Sequence, residues 1–78
     1  MHYSYDDLVR DIKIGHEIEF KYKGKLYGTI NVIEGYGLGE HNKEFEYFKT
    51  PEELLNNGKI NGEHLKDIWN EVEVITIF

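Results

Sequence analysis

The fold is decided by one stretch, His16-Glu17-Ile18-Glu19-Phe20-Lys21-Tyr22-Lys23-Gly24-Lys25-Leu26-Tyr27-Gly28-Thr29-Ile30-Asn31-Val32. In its first half Ile18, Phe20 and Tyr22 alternate with Glu17, Glu19, Lys21 and Lys23. Successive side chains of a strand point to opposite faces, so this is a half-buried antiparallel strand with an apolar and a charged side. Gly24 punctuates it, and Leu26, Gly28, Ile30 and Val32 continue the even-numbered apolar set. Two registers compete here. A two-residue loop at Lys23-Gly24 opposes Phe20 to Tyr27 and puts Leu26 and Ile30 on the charged face. An odd-length, bulged loop keeps all even positions together. The apolar pattern favours the odd loop, with Gly28 on the core face leaving room for an aromatic ring from a neighbouring strand.

Upstream, Ser4 and Asp7 make a capping arrangement, and Leu8, Val9 and Ile12 recur at helical spacing with Tyr5 on the same face. Gly15 stands where a left-handed glycine ends a helix, so the first helix runs from about Tyr5 to Lys13. Downstream, Glu34-Gly35 reads as a turn, Tyr36 to Gly39 as a short strand and Glu40 to Lys43 as a second turn. Glu44 to Phe48 alternates again, Phe45 and Tyr47 facing one way and Glu44 and Glu46 the other. These segments form a meander of about four strands.

Thr50-Pro51-Glu52-Glu53 places a hydroxyl at the N-cap, proline at the first helical position and glutamate at the third. Leu54 and Leu55 begin a short helix that Asn56-Asn57-Gly58 ends. Asn61 is expected to cap another, stapled by Ile60 against Leu65, with Leu65, Ile68, Trp69 and Val72 as its buried stripe. The closing Val72 to Phe78 is apolar on both faces, which suits a strand central in the sheet or one that meets a second subunit. The sum is a single domain over residues 1–78 of class α+β: N-terminal helix, antiparallel meander, two short helices, C-terminal strand, with the helices on one face of the sheet.

The chemistry implied is sparse. The 78 residues include no cysteine, which excludes disulfide scaffolds, zinc ribbons and thiol nucleophiles. A formal charge of −6 and a single arginine, Arg10, argue against binding nucleic acid. No apolar run approaches the ~20 residues of a membrane span, and the first residues lack the features of a secretion signal, so a cytoplasmic location is expected. The only serine, Ser4, is assigned to a helix cap. His2, His16, His41 and His64 are scattered without chelating spacing. No catalytic residue, cofactor or metal ligand is therefore assigned. Gly35-Tyr36-Gly37-Leu38-Gly39 lacks the spacing and following helix of a dinucleotide loop and reads as glycines in a twisted strand or hairpin. Glu17 and Glu19 share a strand face and would meet Glu44 or Glu46 only if those strands were neighbours.

Ile14-Gly15 with Glu17-Ile18-Glu19-Phe20, Tyr22, Gly24-Lys25 and Tyr27 resembles small uncharacterised proteins of low-GC Gram-positive bacteria and their phages and prophages. So do Thr50-Pro51-Glu52-Glu53-Leu54-Leu55, Ile60 with Gly62, and Leu65 through Ile68-Trp69. The resemblance covers nearly the whole chain and implies a short cytoplasmic protein, plausibly phage-linked, with no activity to transfer.

The expectation is a non-enzymatic interaction protein acting by protein contact or self-association. Its candidate surface is Tyr27, Tyr36, Ile75 and Ile77. The alternative is an acidic inhibitor that presents carboxylates in place of DNA phosphates, from the rows Asp6, Asp7, Asp11 and Glu63, Asp67, Glu71.

Overall fold

The computed structural model describes residues 2–78, and its elements follow the expected α+β order. Helix α1 (Tyr5–Lys13) precedes strands β1 (Ile18–Tyr22), β2 (Lys25–Val32), β3 (Gly35–Glu40) and β4 (Glu46–Phe48). Helix α2 (Pro51–Asn57), the hairpin β5 (Lys59–Ile60) and β6 (Glu63–His64), helix α3 (Leu65–Ile68), a 3₁₀ turn (Trp69–Glu71) and β7 (Glu73–Ile77) complete it. The five-stranded antiparallel sheet has the order β4-β3-β2-β1-β7.

Local signals place the helix starts. The Ser4 hydroxyl accepts from the Asp7 N–H while the Asp7 carboxylate accepts from the Ser4 N–H, both at 3.0 Å. Thr50 caps α2 by accepting from the Glu53 N–H, with Pro51 in the first turn. Gly58 closes α2 in an extended conformation, its N–H donating to the Leu54 carbonyl, and no larger residue fits there, because an added Cβ would stand 2.5 Å from that carbonyl oxygen.

The register of the first hairpin differs from expectation. Tyr22 pairs with Lys25 and Phe20 with Tyr27, so the loop is the two-residue Lys23-Gly24. Both loop residues have positive φ, 50° and 77°, as a turn that follows the twist of the strands requires. A strand shifted by one residue presents its other face. Tyr27 and Thr29 therefore enter the core, while Leu26, Gly28 and Ile30 occupy the face that carries Glu19 and Lys21. Gly28 is thus not on the core side.

Two further expectations are corrected. Asn61-Gly62 is a second positive-φ hairpin turn between β5 and β6 rather than a helix cap, and α3 begins only at Leu65. The C-terminal strand is not central: β7 lies at the sheet edge beside β1, with a bulge where Phe20 pairs with Val74 and Glu19 with Thr76. Ile75 is the unmatched residue.

The helices and the β5–β6 hairpin bury one face of the sheet. Leu8, Ile12, Leu54, Leu55, Ile60, Leu65, Ile68 and Trp69 meet Ile18, Phe20, Tyr22, Tyr27 and Leu38 in one core. The Phe20 ring lies between Trp69, edge-on at 5.3 Å, and Tyr27, stacked at 5.8 Å. The Trp69 indole N–H donates to the Tyr3 carbonyl at 2.9 Å, pinning the segment before α1.

Replacing Trp69 by alanine is expected to cost about 3–5 kcal/mol, read as a fall in the urea midpoint. Tyr27 Oη is the one buried side-chain polar atom without a hydrogen-bond partner among the described residues. Tyr27→Phe is therefore expected to leave stability unchanged or slightly raised. A loss beyond about 1 kcal/mol would show that the hydroxyl carries a stabilising bond.

Candidate functional site

With its helices on one side, the sheet presents the opposite face without a covering layer, and alternation dictates what stands there. Along β3 the glycines Gly35, Gly37 and Gly39 all fall on this open face, because residues two apart share a side. The inward positions go to Tyr36, Leu38 and Glu40, paired with Asn31, Thr29 and Tyr27 of β2. The glycines are needed for close approach. A Cβ at Gly39 would meet the Phe45 ring at 2.9 Å, and one at Gly37 would meet Ile30 at 2.8 Å and the Tyr47 ring at 3.0 Å. The Phe45 and Tyr47 side chains thus pack directly over the bare strand.

Between these rings and the β7 edge is a small cleft of about 100 Å³, lined by Glu17, Glu19, Gly28, Ile30, His41, Phe45 and Phe78 together with neighbouring backbone. Gly28, opposite Glu19 in the register, leaves its floor open. Phe78 is held across from Glu17 by a pair of backbone hydrogen bonds, and its carbonyl oxygen lies 2.8 Å from His16 Nδ1. One Glu17 oxygen accepts from the Asn31 N–H at 2.8 Å, and one Glu19 oxygen accepts from the Thr76 hydroxyl at 3.4 Å. Both carboxylates are half-buried, and among the described residues neither has a cationic side chain within salt-bridge distance.

Glu44 and Glu46 do not join them. Two strands separate β4 from β1, and Glu46, paired with Leu38, lies on the opposite side of the sheet. Among the described residues no three His, Asp or Glu side chains gather as a metal-holding group.

Of the four residues expected on an interaction surface, Tyr27 is only 4% exposed, the direct result of the two-residue turn. Tyr36 is half-buried, packed against the core. Ile75 and Ile77 are exposed at 46% and 45%. What the residue pattern missed is their company. Ile14, Val32, Ile33 and Phe78 are also exposed, and with Ile77 they occupy the one end of the sheet where α1 and β2 finish, β1 begins and β7 closes. They come from three separate stretches of the chain, around positions 14, 32–33 and 77–78, so only the topology assembles them.

Neither acidic row is a bare line of carboxylates. Asp11 is buried, accepting from the Tyr3 hydroxyl at 2.5 Å, and Arg10 reaches Asp7 at 3.2 Å and Asp11 at 3.4 Å. In the second row the Tyr22 hydroxyl donates to Glu63, and Lys23 Nζ lies over the Tyr22 ring. The Lys23 ammonium is pushed up, first by Tyr22 and then by Glu63 and Glu71.

Compared with protein-family models, curated proteins and solved structures, the chain matches none.

The Tyr3 hydroxyl is raised above its ordinary 10.0 by burial and then by its bond to Asp11. The unfolded chain therefore releases this proton near pH 10 while the folded chain keeps it, so stability is full below pH 10 and declines above it. Tyr3→Phe is expected to lower stability at neutral pH and to flatten the alkaline decline in urea titrations. Tyr5 and Tyr22, raised in the same direction chiefly by burial, preserve part of the slope.

Proposed function

We propose that this chain is a non-enzymatic interaction protein that acts by contact with another protein, through the apolar end formed by Ile14, Val32, Ile33, Ile77 and Phe78. The observation that carries the reading is the gathering of these exposed side chains at one end of the sheet. Apolar residues scattered singly over a surface need no explanation, whereas a grouped patch marks an interaction site. Ile33 is the clearest member. It occupies a hairpin turn, where Gly, Asn and Asp are the residues that geometry favours. It is fully exposed, so folding gains little from it.

The remaining chemistry supports the same reading. Ser4 is engaged in its helix cap, and Glu46 lies on the opposite side of the sheet from Glu17 and Glu19. A cytoplasmic setting and a link to phages or prophages belong to this proposal and rest on the sequence resemblance. Action without a cofactor belongs to it too, resting on the residue pattern.

Self-association through β7 is the less favoured form. The bulge at Ile75 breaks the alternation, so Glu73 faces the open side with Lys21 while Ile77 faces inward with Ile18. A second β7 laid antiparallel would have to cross that irregularity, and bulges are one of the devices by which sheet edges resist pairing. The acidic-inhibitor reading has only the net charge behind it, since Arg10 and Lys23 interrupt its two rows.

Sedimentation equilibrium is expected to give monomer across the accessible concentrations. Pull-down from a lysate of the natural host is expected to retain a protein that is lost with Ile33→Ser or Ile77→Ser. Equal retention by both variants, or a concentration-dependent dimer, would overturn contact with another protein through this end.

A further inference from the structure

We infer that the open-face cleft receives the guanidinium of an arginine presented by a partner protein. This deepens the interaction reading and rests on it for the source of the arginine. The cleft joins three features that suit this group and few others. Glu17 and Glu19 stand on one strand face, each with one oxygen already tied, to the Asn31 N–H and the Thr76 hydroxyl respectively. Tied carboxylates are held in place, and their remaining oxygens are left to accept. Phe45 and Phe78 line the cleft with apolar surface, which suits a planar, weakly hydrated cation. Gly28 supplies a floor with no side chain, at a φ that other residues also adopt.

Size and charge narrow the choice further. About 100 Å³ is well below the several hundred that enclose a drug-sized ligand, and it suits the head of one side chain. Among the described residues, these two half-buried carboxylates have no cationic side chain within salt-bridge distance, although Lys21 shares their sheet face and His41 lines the cleft. An arriving guanidinium offsets their charge with charge-assisted, directional hydrogen bonds that a compact ammonium does not match in geometry. A second copy of this chain is not the source. Its only arginine, Arg10, is already engaged by Asp7 and Asp11 on α1. The arginine must come from a different protein, consistent with a cleft that lies beside Phe78 and thus borders the apolar end.

The test uses N-acetyl-arginine amide as probe, titrated into the ¹⁵N-labelled full chain and followed by amide chemical shifts. N-acetyl-lysine amide and sodium chloride at equal ionic strength run alongside. Saturable shifts are expected at Glu17, Glu19, Gly28 and Phe78 with the arginine probe, and weaker ones with lysine. The double variant Glu17→Gln/Glu19→Gln, whose retained spectral dispersion verifies folding, is expected to weaken binding by about tenfold, the ratio expected when charged hydrogen bonds become neutral ones. Gly28→Ala, which adds a methyl to the floor 3.4 Å from the Ile18 carbonyl oxygen, is expected to weaken it independently. Shifts that do not saturate, that lysine or salt reproduces equally, or that survive the double variant would overturn the proposal. Because the probe is a free amide, this outcome is independent of the Ile33 and Ile77 pull-down, and either idea can fail without the other.

Discussion

The structure depends on the Lys23-Gly24 turn. Two residues with positive φ close the hairpin, and from that count alone every side chain of β2 is assigned to one face or the other. Had the loop been longer by one, Leu26 and Ile30 would have filled the core and Tyr27 would have pointed outward. Instead the ring of Tyr27 stacks on Phe20, and the hydroxyl of Thr29 accepts the Ile18 N–H at 3.1 Å. The core gains aromatic area in exchange for aliphatic area, together with a phenol oxygen that finds no partner.

From that register the rest of the packing follows. Phe20 lies between Tyr27 and Trp69, and Trp69 reaches past the helices to hold the Tyr3 carbonyl. Tyr3 in turn bonds to Asp11, which Arg10 balances. A chain of this length buries only about 60% of its unfolded surface, so stability must come from a few large rings and well-satisfied helix ends rather than from a deep core. The two capped helix starts and the single aromatic cluster meet that requirement.

The same register prepares the open face. With Gly28 outward on β2 and three glycines outward on β3, the sheet surface is bare enough for Phe45 and Tyr47 to pack over it. Glu17 and Glu19 then border a small hollow rather than standing free in water. An edge strand with a bulge, a bare face and exposed apolar residues at one end of the sheet all result from this same register.

The first two helices, their caps and the strand-rich middle were legible in the sequence, because each depends on residues within one turn or one strand of each other. Ser4 with Asp7, Thr50 with Pro51, and the alternation of Ile18, Phe20 and Tyr22 all act locally. The hairpin register was not legible. A lysine in a positive-φ turn is a weak local signal, and the apolar residues of β2 fall on both faces, so pattern favoured one answer and backbone twist chose the other. Asn61-Gly62 misled for a related reason, since the same asparagine serves a helix cap or a hairpin turn. The edge position of β7, the cleft between Glu17 and Phe78, and the company of Ile14, Ile33 and Ile77 required the assembled sheet. Those neighbours are brought together by pairing between distant strands, and nothing within a single stretch of chain encodes which strand will lie beside which.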